Sequence, residues 1–149
     1  MTHDKPKVGA PVGPLTLPMI GKDQSYVIGG VKDRWTMQFV YSGRHCPRCK
    51  RILNKLSGAL SDWPAYMDVV VGSADTADMA NADREEHGWA FDLCYGMTEE
   101  QMRHLGLYVS APLSEAETEN IFAEPGAFAI RPDGTLMLVD ISNGPAARP

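Results

Sequence analysis

Residues 41–56 read YSGRHCPRCKRILNKL. Two cysteines, Cys46 and Cys49, enclose Pro47 and Arg48. The stretch before them, RWTMQFVY (Arg34–Tyr41), is dense in aromatic and β-branched residues and predicts a strand. The stretch after them predicts a helix from about Cys46. Pro47 suits a first helical position, where a missing N–H costs nothing. Cys49, Ile52, Leu53, Leu56 and Leu60 fall on one apolar face. The cysteines therefore sit where a strand hands over to a helix, and open α/β sheets place their sites at such ends.

A thiol attacks as its thiolate. The N-terminal end of a helix carries roughly half a positive charge and favours an anion there. Around the pair the chain is strongly basic. From Arg34 to Ser61 there are six Lys and Arg and no Asp or Glu, although the whole chain carries a net charge of −5. Arg44 and Arg48 flank the thiols and are read as electrostatic support, with His45 beside Cys46 as a further candidate. Arg51 and Lys55 share the Arg48 face, and a solvated surface explains them equally well. One helical turn separates Cys46 from Cys49, so a disulfide between them can close without refolding. Cys46 is expected to be the exposed nucleophile, and Cys49, on the apolar face, the buried resolving thiol.

Two other readings compete. A tetrahedral zinc site needs four ligands, usually from two CxxC-like pairs. Only Cys94 and four histidines are left to complete one, and His45 adjoins Cys46 too closely to share its ion. The pair could also be inert, or belong to a non-catalytic redox-sensing module. The balance favours redox chemistry, with no metal and no cofactor. Cys94 is expected to be a buried strand cysteine.

Outward from this segment, LTLPM (Leu15–Met19) and SYVIGG (Ser25–Gly30) predict two short strands, a hairpin, after an irregular arm over 1–14. Tyr66–Ser73 predicts a buried strand. Asp75 to His87 predicts a helix with Asp75 as its N-cap and Gly88 as its stop. Trp89–Tyr95 reads as a short strand. Thr98 and Gly106 bound a brief helix, and Ser114–Glu117 fits a capping box for another. Gly126–Ile130, a turn over 131–134 and Thr135–Ser142 predict a closing β-hairpin. Strands and helices alternate and end in a hairpin, which indicates an α/β domain with a mixed sheet.

The chain has 149 residues, which suggests a single domain over 1–149. Its acidic balance argues against a general nucleic-acid binder. No window approaches the ~18 continuous apolar residues of a membrane span. The first residues lack the apolar core of a secretory signal, so a cytoplasmic location is expected.

These segments together resemble the thioredoxin-fold superfamily, and within it the peroxiredoxin-like AhpC/TSA (redoxin) family. FVYSGRHCPRC resembles the active-site strand and CPxC. VVVGSADTADMANADREEHG is similar to the following strand and helix, and EPGAFAIRPDGTLMLVDIS to the closing hairpin. The resemblance implies a thioredoxin-like fold: a mixed central sheet flanked by helices, here with an N-terminal β-hairpin extension. It implies a thiol–disulfide oxidoreductase or a thiol peroxidase, with a disulfide or peroxide substrate and an external thiol reductant. It places Pro125 at the superfamily's cis-proline, facing the cysteines. This chain also departs from the pattern. Gly43 stands where peroxiredoxins keep Thr or Ser, with Ser42 one residue earlier. Ala123-Glu124-Pro125 supplies no arginine, Val40 replaces the buried acid of thioredoxins, and His45 replaces a tryptophan. The ending ISNGPAARP cannot form the usual last helix: either the chain is truncated or something else covers that sheet face, and a homodimer is the expected cover.

Overall fold

The computed structural model describes residues 6–112 and 121–142. Strand β3 (Trp35–Val40) lies at the centre of a five-stranded sheet of order β5-β4-β3-β8-β9. The strands are β4 (Met67–Gly72), β5 (Asp92–Leu93), β8 (Gly126–Ile130) and β9 (Leu136–Ile141). β3 pairs in parallel with β4, and β4 with β5, while β8 runs antiparallel to both β3 and β9. The fold is thioredoxin-like, as expected.

Alternation along the strands divides the core into two layers. Val40, Val70, Phe128 and Ile130 point to one face. There they meet Leu17 and Ile28 of the hairpin β1 (Leu15–Leu17) and β2 (Tyr26–Ile28), together with Met102 and Leu105 around the short helix α3 (Glu99–His104). Tyr41, Val71 and Leu93 point to the other face, against Cys49 and Leu53 of α1 (Pro47–Gly58), Ala80 of α2 (Ala77–His87) and Trp89. Each large aliphatic or aromatic side chain buried this way contributes about 1.5–3 kcal/mol. The N-terminal hairpin takes its place as a cover for the sheet, and the arm before it docks on the closing hairpin, with Val12 N–H donating to the Gly134 carbonyl at 2.9 Å.

Several expectations need correction. Thr76, not Asp75, caps α2, its hydroxyl accepting from the Met79 amide at 3.3 Å. Both residues carry a capping oxygen, and Asp75 is occupied elsewhere. The stop at Gly88 is as expected, in the left-handed region at φ 64°. The strand around Cys94 shrinks to Asp92–Leu93. Two short strands escaped the sequence reading: β6 (Val109–Ser110) and β7 (Phe122–Ala123), paired antiparallel. At two residues each they are too short to show a period. The capping box at Ser114–Glu117 lies outside the described residues.

Candidate active site

β3 runs into a turn over residues 41–46, and the turn delivers Cys46 to the start of α1 as its N-cap. Among the described residues, the cap of this helix is neither a carboxylate nor a hydroxyl. It is the Cys46 Sγ, accepting from the Cys49 amide at 3.4 Å. A sulfur held there faces the positive end of a helix and an N–H group, both of which favour negative charge on it. Pro47 occupies the first helical position, as the sequence predicts.

The two cysteines are close together and both are buried. Cys49 is 3 % exposed, in keeping with a resolving thiol, whereas Cys46 is 6 % exposed rather than the exposed nucleophile expected. It lies on the wall of a cleft of about 530 Å³ shared with Ser42, His45, Arg48, Arg51, Phe122 and Glu124. Phe122 of β7 forms part of that wall, while Cys46 itself is buried in the cluster that holds Cys49, Leu53 and Trp89. The His45 ring packs on Phe122 with centroids 4.5 Å apart. Glu124 is buried and accepts a hydrogen bond from the Ser110 hydroxyl at 3.1 Å. Arg48 is exposed beside the thiol, where its predicted electrostatic role is geometrically open. Ser42 is 3 % exposed, and its hydroxyl has no hydrogen-bond partner among the described residues.

Arg44 takes a different direction. Its guanidinium bonds Asp83 at 2.5 Å and Glu86 at 2.8 Å, both on α2. The basic run therefore meets acids brought from 39 and 42 residues away, and the charge of Arg44 is met by carboxylates rather than left for the thiols. Glu86 is held below the usual carboxylate range by that guanidinium.

A third acid, Asp75, completes the group. It is 4 % exposed, and its Oδ2 accepts from the Arg44 amide at 2.8 Å. The Tyr41 hydroxyl lies 3.2 Å from Asp83 and 3.5 Å from Asp75. Burial pushes the Asp75 carboxyl up to about 6, outweighing the opposing bond from Arg44. Burial also raises the Tyr41 phenol. Tyr41, Asp75 and Asp83 were not legible as site residues, because only the fold brings α2 beneath the turn.

Pro125 does face Cys49: both border a dimple of about 50 Å³ together with Phe39 and Leu53. Its peptide bond is not cis, however. The cis bond among the described residues is Gly13–Pro14. Glu124 and Pro125 are held in a continuous extended run between β7 and β8. The Glu124 amide donates to the Tyr108 carbonyl, and the Pro125 carbonyl accepts from the Ser142 amide, both at 2.8 Å. Cys94 is fully buried in the core layer on the opposite face of the sheet, and burial pushes its thiol up to about 12. This fits a packing cysteine. No helix of the described residues is long and apolar enough to cross a membrane.

Solved structures share this fold. A peroxiredoxin-like protein from Aquifex aeolicus superposes with a TM-score of 0.80 at 18% identity, covering 98% of this chain and 82% of its own. PrxQ from Xylella fastidiosa gives 0.75 at 13% identity, covering 91% and 86%. Peroxidoxin BcpB from Mycobacterium tuberculosis gives 0.74 at 15% identity, covering 91% and 85%. No curated protein matches the sequence. The sequence pattern of the AhpC/TSA family matches residues 8–139, a span that holds the sheet, the cysteine turn and most of the closing hairpin. With a thiol pair at the strand-to-helix junction of a thioredoxin-like sheet, the chain belongs to the AhpC/TSA family, thiol-based enzymes that act on peroxides or disulfides.

Proposed function

We propose that this protein is a thiol–disulfide oxidoreductase in which Cys46 attacks and Cys49 resolves. The observation that carries the reading is the Cys46 sulfur, seated as the helix N-cap and bonded by the Cys49 amide on the wall of an open cleft. The Cys46 thiolate attacks one sulfur of a substrate disulfide, the S–S bond breaks, and a thiolate leaves. Cys49 then gives up its proton and attacks the Cys46 sulfur, releasing the second thiol. Two electrons pass to the substrate and a Cys46–Cys49 disulfide remains, which an external thiol reductant returns to the dithiol. Arg48 and His45 support the anionic sulfur, Pro47 stiffens the turn, and Pro125 borders Cys49 from the sheet side.

Peroxide reduction is a second reading, favoured by Ser42. Its buried hydroxyl on the cleft wall suits a donor to a peroxide oxygen. Cys46 would displace an alcohol or water from the O–O bond and become a sulfenic acid, and Cys49 would expel water from it to form the same disulfide.

The test measures second-order rates of reduced protein with a disulfide and with hydrogen peroxide, for wild type, Cys46→Ser and Ser42→Ala. The oxidoreductase reading expects loss of disulfide exchange in Cys46→Ser and none in Ser42→Ala. A Cys46 thiolate titrating at or above the free value near ~8.5 sinks the activated nucleophile. A cytoplasmic site of action is part of this proposal, where a reducing compartment would keep the pair as thiols. We place all 149 residues in one working domain that pairs as a homodimer. A monomeric mass by light scattering overturns the dimer.

A further inference from the structure

Two hydrogen bonds converge on one peptide group in the cysteine turn. The Arg44 N–H donates to Asp75 Oδ2 at 2.8 Å. The Gly43 carbonyl, on the other side of the same planar amide, accepts from the Cys46 N–H at 3.0 Å. A peptide plane turns as a rigid unit, and hydrogen bonds through it polarise one another. Its orientation is therefore set at one end by Asp75 and read at the other by Cys46. Gly43 makes the contact possible: a Cβ there would stand 2.6 Å from Asp75 Oδ1.

We propose that Asp75 is a positioning residue for Cys46, holding the Gly43–Arg44 peptide so that the sulfur faces the cleft, and that this grip loosens when the Asp75 cluster takes up a proton. This inference rests on Cys46 being the nucleophile. An ionised carboxylate accepts from an amide about twice as strongly as a neutral acid does. The groups facing Asp75 come from every neighbouring element: Tyr41 after β3, Ser73 after β4, Asp83 on α2, and the Arg44 amide of the turn. Arg44 closes the far side through Asp83 and Glu86. Burial and the nearby Asp83 charge both make Asp75 easy to protonate, and the carboxyl titrates at about 6.

Two measurements on the full chain test the proposal. The first is Cys46 alkylation by iodoacetamide between about pH 5 and about pH 8, divided by the thiolate fraction at each pH. Wild type is expected to lose roughly five-fold in this thiolate-specific rate as Asp75 protonates, about the difference between a charge-assisted and a neutral hydrogen bond. Asp75→Asn is expected to sit at the low value throughout, and Asp75→Glu to recover part of the slope. Superimposed wild-type and Asp75→Asn profiles overturn the proposal. The second is hydrogen exchange of the Arg44 amide in wild type, which needs no variant to fold. Relative to neighbouring amides, its protection is expected to fall below about pH 6. Constant relative protection overturns the proposal. If Cys46 reacts no faster than free cysteine, the nucleophile reading fails, while the Arg44 amide still reports whether Asp75 grips the turn.

Discussion

Arg44, on the cysteine turn, ends 2.5 Å from Asp83, a carboxylate with no exposed side-chain surface. The partial exposure of Arg44 lowers the desolvation cost of the pair, but Asp83 depends on it. Removing one partner of a buried pair strands the other charge. Arg44→Met is expected to destabilise the protein by about 2–3 kcal/mol, at the low end for buried pairs because Arg44 is partly exposed. The double variant with Asp83→Asn is expected to recover most of that loss. Urea denaturation of the four proteins in the cycle checks it, and additive effects of the two single changes would refute it.

Asp75 imposes a pH dependence of a definite sign. Its carboxyl is raised in the folded state from 3.8 to about 6. The folded protein thus binds this proton more readily than the unfolded chain does. The stabilising contribution is complete below about 3.8 and is lost as pH rises through about 6. Above that, the buried charge costs up to about 3 kcal/mol. Asp75→Asn is therefore expected to be more stable than wild type at about pH 8, with the advantage vanishing near about pH 4. Denaturation midpoints across that range, compared pairwise, provide the check. A positioning charge that weakens the fold is a familiar exchange of stability for activity.

Gly43 holds a backbone at φ 131°, and any Cβ would press on the Asp75 carboxyl. Gly43→Ala is expected to cost about 2–3 kcal/mol and to slow Cys46 alkylation. Gly43→Thr restores a hydroxyl at the position where peroxiredoxins keep one. Here it is expected to lower peroxide turnover, because it displaces Asp75. A gain in peroxide rate for Gly43→Thr would contradict the packing described.

Cys94 lies across the sheet from Cys46 and Cys49, and burial pushes its thiol up to about 12. After mild peroxide, mass spectrometry is expected to find a Cys46–Cys49 disulfide and an unmodified Cys94. Cys94 is expected to alkylate only on unfolding. A disulfide involving Cys94 under native conditions would show that the β5 region opens.

The strand, the cysteine turn and the helix could be read from the sequence because their signals are local. β3 is rich in strand formers, Pro47 starts the helix, and the apolar spacing names Cys49 and Leu53 of its buried face, although Ile52, in the same pattern, is exposed. Gly88 and Thr98 likewise mark ends by local chemistry. What escaped was set by distant neighbours. The basic run gave no sign of the α2 carboxylates that meet Arg44, since nothing in residues 41–56 encodes what packs beneath them. Asp75 and Thr76 are equally good caps on paper, and the tie was broken by the Arg44 amide. Pro125 matched the position of a cis-proline, but its peptide bond is not cis.

The sulfur proposed as the nucleophile is also the one that caps α1. An N-cap contributes about 1 kcal/mol to its helix. A covalent bond to that sulfur is expected to weaken the cap, which hydrogen exchange at the Cys49 amide would report.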